Sequence, residues 1–159
     1  MSAWCSFTIC RTSNADELPL HESDVPTALL ELQSVGSWDG VHIVPDAEPA
    51  LDGHWQFPRI SASWEQEGLG YIVQCFETAD SRSSFLSTST VLSKPEVYVE
   101  LGGATQELWP QQLFAPYDLT LKAMRHFLAT GLQDPALFWV GLSDFSRTTV
   151  APRRRRNTR

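Results

Sequence analysis

The sequence predicts an α+β domain, a twisted antiparallel β-sheet of about six or seven strands with two helices packed on it. Three observations predict this class. Residues 59–109 break into short runs of alternating apolar and polar side chains separated by turn residues, the pattern of an antiparallel meander. Two other segments, one opening at Ser23 or Asp24 and one spanning Leu119–Thr130, repeat their apolar residues at helical spacing. The chain has 159 residues, 42% hydrophobic and 19% charged, which suits one core of ordinary domain size and excludes a disordered chain. No apolar run approaches the roughly 18 residues that a helical membrane span needs.

The elements follow in chain order. Residues 3–10 are rich in aromatic and β-branched types and predict a first strand, followed by a polar loop. Ser23 or Asp24 then caps a helix with Pro26 in its first turn, where the missing N–H does no harm. Leu29, Leu32 and Val35 keep its period and Gly36 stops it. The run Val41-His42-Ile43-Val44 predicts a short strand ahead of a long loop. Ile60, Ala62 and Trp64 share one face of a strand over 59–64, and Gly70–Glu77 forms its neighbour after a turn at 66–68. Phe85–Leu92 is Ser/Thr-rich and predicts an edge strand or a loop. Strands over 96–101 and 105–109 flank Gly102-Gly103. The second helix has Asp118 as N-cap, the stripe Leu121, Met124, Phe127 and Leu128, and Gly131 as a left-handed cap. A last strand covers 136–140. Residues 1–146 make a single domain, and 147–159 a flexible Arg-rich tail.

The net charge of −7 hides a split. Arg153, Arg154, Arg155, Arg156 and Arg159 lie in the last nine positions, so residues 1–150 hold 7 basic against 19 acidic side chains. Such a body repels nucleic acid, whose phosphates require Lys and Arg, and suits a protein with a basic working surface. The arginine run reads as a solvated terminus.

Residues of catalytic type do not form a site at sequence level. His21, His42, His54 and His126 stand three to five residues from no other His or Cys, so ligand spacing for a metal is missing. His42 and His54 flank Asp39, Asp46 and Asp52, which leaves a small metal-dependent hydrolase as an alternative. Cys5 and Cys10, five apart, face opposite sides of a strand and cannot pair; Cys75 lies mid-strand as an inert thiol. An odd cysteine count and an N-terminus without a signal-peptide pattern predict a cytoplasmic protein. No nucleophile elbow or phosphate loop occurs, and neither an enzyme activity nor a cofactor is expected. The acids instead suggest a recognition face. Trp38, Asp39, Asp46, Glu48, Asp52, Trp55, Glu65 and Glu67 are the expected partner-binding residues, with the two tryptophans as anchors. Trp64, Trp109 and Trp139 fall on strand patterns and belong to the core.

Gly70-Tyr71-Ile72-Val73-Gln74 and the segment from Leu108 to Trp139 carry a resemblance. A helix ending in Phe127-Leu128-Ala129-Thr130-Gly131, then Pro135 and a short strand with Trp139, resembles the close of the Imm1 family of bacterial immunity proteins from polymorphic toxin systems. The similarity spans roughly residues 38–142 and its last third is the specific part. Family members often carry a basic residue before the proline, where this chain has Asp134. The resemblance implies a non-enzymatic cytoplasmic antidote that binds a cognate secreted toxin, often a deaminase-superfamily domain acting on nucleic acid, and blocks its active site. It supplies no contact residues. An adaptor or chaperone for a secreted effector is the alternative among binding proteins.

Overall fold

Strand pairing builds the domain. A computed structural model of the protein describes residues 7–13, 16–34, 40–45, 57–65, 69–78, 83–92, 97–101 and 105–145. Seven strands form one antiparallel sheet: β1 (Phe7–Ser13), β2 (Asp16–Leu20), β3 (Gly40–Pro45), β4 (Arg59–Glu65), β5 (Gly70–Phe76), β6 (Ser84–Ser87) and β9 (Phe138–Val140). Their order across the sheet is β2-β1-β3-β4-β5-β6-β9. The remaining strands, β7 (Val97–Leu101) and β8 (Thr105–Trp109), make a separate two-stranded hairpin. Helices α1 (Val25–Leu32, entered through a 3-10 turn at Glu22–Asp24) and α2 (Tyr117–Thr130) pack on one face of the sheet. The fold is therefore α+β, as its alternation and helical periods predict.

Register decides which side chains meet the helices. Ile9 pairs with Ile43, Ile43 with Ile60, and Ile60 with Cys75; Val41 pairs with Ala62 and Ala62 with Val73. These side chains point to one face and are buried with Val25, Ala28, Leu29 and Leu32 of α1 and Ala123, Met124 and Phe127 of α2. The period of two in the strands and of 3.6 in the helices thus meet in one layer. Tyr71 ties the layers together. Its hydroxyl donates to the Leu29 carbonyl at 2.5 Å and accepts from Gln33 Nε2 at 3.1 Å, while its ring meets Trp64 edge-on at 4.9 Å. A smaller apolar cluster lies on the other face at the β5-β6-β9 side, where Ile72, Phe85 and Val140 pack with Trp109, Leu113, Phe114 and Phe145.

Several elements differ from expectation for local reasons. The first strand covers Phe7–Ser13, and residues 3–6 lie outside the described residues. The polar segment after it is a strand: β2 places Leu18 and Leu20 opposite Arg11 and Ile9, and an outermost strand tolerates its acids and Pro19. The 3-10 turn is capped by His21, whose Nδ1 accepts from Ser23 N at 3.2 Å. Asp24 holds the N-cap position of α1 without a side-chain bond, and the helix ends at Leu32, ahead of Val35 and Gly36. β6 is an inner strand between β5 and β9, not an edge, and takes only the first three residues of the Ser/Thr-rich run, Phe85 to Ser87, together with Ser84. Pro116, not Asp118, is the N-cap of α2. Its extended backbone leaves its carbonyl to accept both Thr120 N at 3.1 Å and Thr120 Oγ1 at 3.0 Å. Asp118 sits in the first turn, where a carboxylate favours the helix dipole. Gly131 takes the left-handed cap at φ 70°, as its position after the stripe predicts. Trp109 is buried, whereas Trp64 and Trp139 are half-buried at the margin of the larger core.

Candidate functional site

The sheet face turned away from the helices carries the residues with chemistry. The register aligns Cys10, His42, Ser61 and Gln74 in one row across β1, β3, β4 and β5. Arg59, one pleat along β4, joins them: its Nη2 lies 3.1 Å from Ser61 Oγ and 3.4 Å from His42 Nδ1. Ser61 Oγ lies 2.7 Å from the same His42 nitrogen. A guanidinium only donates, so Arg59 donates to Ser61, and its 3.4 Å approach to Nδ1 favours the tautomer in which Nδ1 accepts and the Ser61 hydroxyl donates to it. In that tautomer the neutral imidazole carries its proton on Nε2. That edge folds over Gly40, where a Cβ would come within 3.0 Å of the ring nitrogen, so this backbone position accommodates the histidine by lacking a side chain. The Arg59 guanidinium also lies 5.8 Å from the Phe76 ring centre.

Burial and the Arg59 charge together push His42 down to about 4. Both act in one direction, because each disfavours a second positive charge in this place. The geometry resembles a base poised on a serine, but an imidazole this weakly basic takes a hydroxyl proton poorly near neutral pH. Nδ1 also faces a hydroxyl proton and a guanidinium, which repel a divalent cation. His42 is thus badly placed for the hydrolase alternative. His54, Asp46 and Asp52, the other residues of that reading, lie outside the described residues. Cys75 is buried against the helices, and burial raises its thiol to about 11, which keeps it protonated near neutral pH. Among the described residues no group of three His, Cys, Asp or Glu side chains is placed to hold a metal.

Of the expected partner-binding residues, Trp38, Asp39, Asp46, Glu48, Asp52, Trp55 and Glu67 lie outside the described residues, and Glu65 closes β4 opposite Gly70. Gly40 pairs with Ser63 and Ile43 with Ile60. The chain therefore enters β3 after Asp39, and leaves β4 before Glu67, at one end of this strand pair.

The described surface has its own charge pattern. Glu22, Asp24, Glu31, Glu77, Asp118 and Asp144 are exposed, against Lys122 and Arg125 among the basic residues. The other two described arginines are drawn inward: Arg59 is buried, and Arg11 is half-buried in an ion pair with Glu31. Sequence reasoning missed Arg59 and Ser61, although alternation gave the signal. Assigning Ile60, Ala62 and Trp64 to the core leaves Arg59, Ser61 and Ser63 on the opposite face. Asp134, which departs from the Imm1 pattern, is buried in the α2–β9 connection; its Oδ1 accepts from Ala136 N at 2.9 Å and its carbonyl from Trp139 Nε1 at 3.1 Å. His126, half-buried on α2, places Nδ1 at 3.9 Å from that carboxylate. No helix among the described residues is long and apolar enough to cross a membrane. Compared with known proteins, the chain matches no family profile, no curated protein and no solved structure.

Proposed function

We propose that this chain is an immunity protein that binds the catalytic domain of a cognate secreted toxin and keeps substrate from its active site. The toxin is a deaminase-superfamily enzyme acting on nucleic acid. The observation that carries this reading is the charge of the body: residues 1–150 hold 19 acidic and 7 basic side chains, and the fold turns Arg11 and Arg59 inward. An enzyme that takes nucleic acid presents a basic channel, and an acidic inhibitor is steered towards it while competing for the same field. The segment that resembles the Imm1 family supports the reading, since α2 closes on a left-handed Gly131 and leads through Asp134-Pro135 into β9 with Trp139. A toxin inhibited in the cell that makes it requires a cytoplasmic antidote.

An adaptor for a secreted effector fits the same charge but predicts a different phenotype. Growth of cells expressing the toxin domain encoded beside this gene tests the two. Co-expression of the immunity protein restores growth under our reading. Failure to restore it, with both proteins present and soluble, eliminates the immunity reading; a complex that forms without rescue favours the adaptor.

A further inference from the structure

The proposed function leaves open which surface meets the toxin. Two groups of large apolar side chains are exposed among the described residues. Leu18 and Leu30, each 50% exposed, belong to β2 and α1; Val91, Leu92, Leu132 and Phe138 lie towards β6 and β9. We infer that the β2 edge and the outer side of α1 form the docking surface for the basic face of the toxin domain. This inference rests on the immunity reading.

The two elements of the first group are related through Arg11. Leu18 stands opposite Arg11 in the β1–β2 register, and Arg11 reaches across to Glu31, the neighbour of Leu30 on α1. β1, the strand next to the β2 edge, and the helix are thus tied through one ion pair, in which the charges of Arg11 and Glu31 offset each other. Residues 16–31 contain Asp16, Glu17, Glu22, Asp24 and Glu31 and no lysine or arginine. Glu22, Asp24 and Glu31 are exposed in this same stretch of chain, Glu31 paired with Arg11. Apolar anchors among carboxylates suit a cationic protein: desolvated anchors hold a complex together, and complementary charge speeds its formation. The second apolar group lacks this frame, since Asp144 is the one exposed carboxylate among described residues 83–92 and 131–145. Pro19 in β2 removes a backbone donor from the outermost strand, which disfavours strand addition and leaves side chains to make the contact.

Binding kinetics with the catalytically inactivated toxin domain test this, with thermal melting of each variant as the folding control. Glu22→Lys with Asp24→Lys should slow association about tenfold at low salt, a difference that shrinks as salt is added. Leu18→Ser with Leu30→Ser should speed dissociation about tenfold or more while the melting temperature stays close to that of the parent. Lys122→Glu with Arg125→Glu, on α2, should not weaken binding. If the parent protein binds and neutralises the toxin while both variants of the β2–α1 surface bind as it does, this surface is the wrong one and the immunity reading survives. If the parent does not bind, both fall together.

Discussion

Gly70→Ala is expected to destabilise the domain by roughly 2–6 kcal/mol, combining backbone strain and overpacking of about 1–3 kcal/mol each. Gly70 opens β5 at φ 130°, a conformation that side-chain-bearing residues rarely adopt. A Cβ built there lies 2.7 Å from the Ala115 carbonyl oxygen and 3.1 Å from the Phe114 carbonyl carbon. Those atoms are backbone and have no rotamer by which to retreat. They are also held in place, because Tyr71 and Ala115 exchange two hydrogen bonds of 2.8 Å each. The bridge fixes the segment that leads into α2, so the substitution loosens the helix as well as the turn. Chemical denaturation measures the loss. A change below about 1 kcal/mol, the range of ordinary substitutions, would mean that the 114–115 segment does not dock on β5 as described.

The second large effect is the response of stability to acid. His42 is held near 4 in the fold against 6.5 for the free group, so between these values the unfolded chain binds more protons than the folded one. Stability from this group is complete above pH 6.5 and declines as pH falls towards 4. The shift predicts a loss of about 2 kcal/mol between pH 7 and pH 5, approaching about 3 kcal/mol by pH 4. His42→Gln keeps an acceptor for the Ser61 hydroxyl and cannot gain a proton. Its unfolding free energy, followed from pH 7 to pH 5 by urea denaturation, should decline less than that of the parent by this amount. Parallel curves for the two proteins would show that His42 titrates normally and that the Arg59–Ser61–His42 network is not formed.

Local pattern carried much of the fold. β4, β5 and α2 are legible because each repeats at its own period and is bounded by a turn residue or a cap. Elements decided by distant partners are less so. β2 contains Pro19 and two acids, which read as a loop until β1 supplies a partner for an outermost strand. β6 carries serines that read as an edge, but its position between β5 and β9 depends on a chain segment fifty residues away. Nothing in the alternation of 97–109 says that β7 and β8 pair with each other and not with the main sheet. The cap of α2 is misread for a related reason: Asp118 has the right chemistry, but Pro116 already holds the extended backbone that ends the helix.

The candidate surfaces were legible to a different degree. Charge excess is additive and survives folding, so counting carboxylates already gives the sign of the body's field. Placement is not additive. Whether Arg11 faces solvent or Glu31, and whether Arg59 faces solvent or Ser61, depends on register between strands and on where a helix lies. Among the described residues the fold draws both arginines inward, Arg11 into a pair with Glu31, and leaves Glu22, Asp24, Glu77, Asp118 and Asp144 exposed.

Titrating the purified protein into the purified toxin domain tests the central claim most directly. The toxin's conversion of its nucleic-acid substrate is followed as the protein is added. The account predicts that activity falls in proportion to added protein and is abolished near one equivalent. Undiminished activity in a large molar excess of folded protein would contradict it, whether or not the two form a complex.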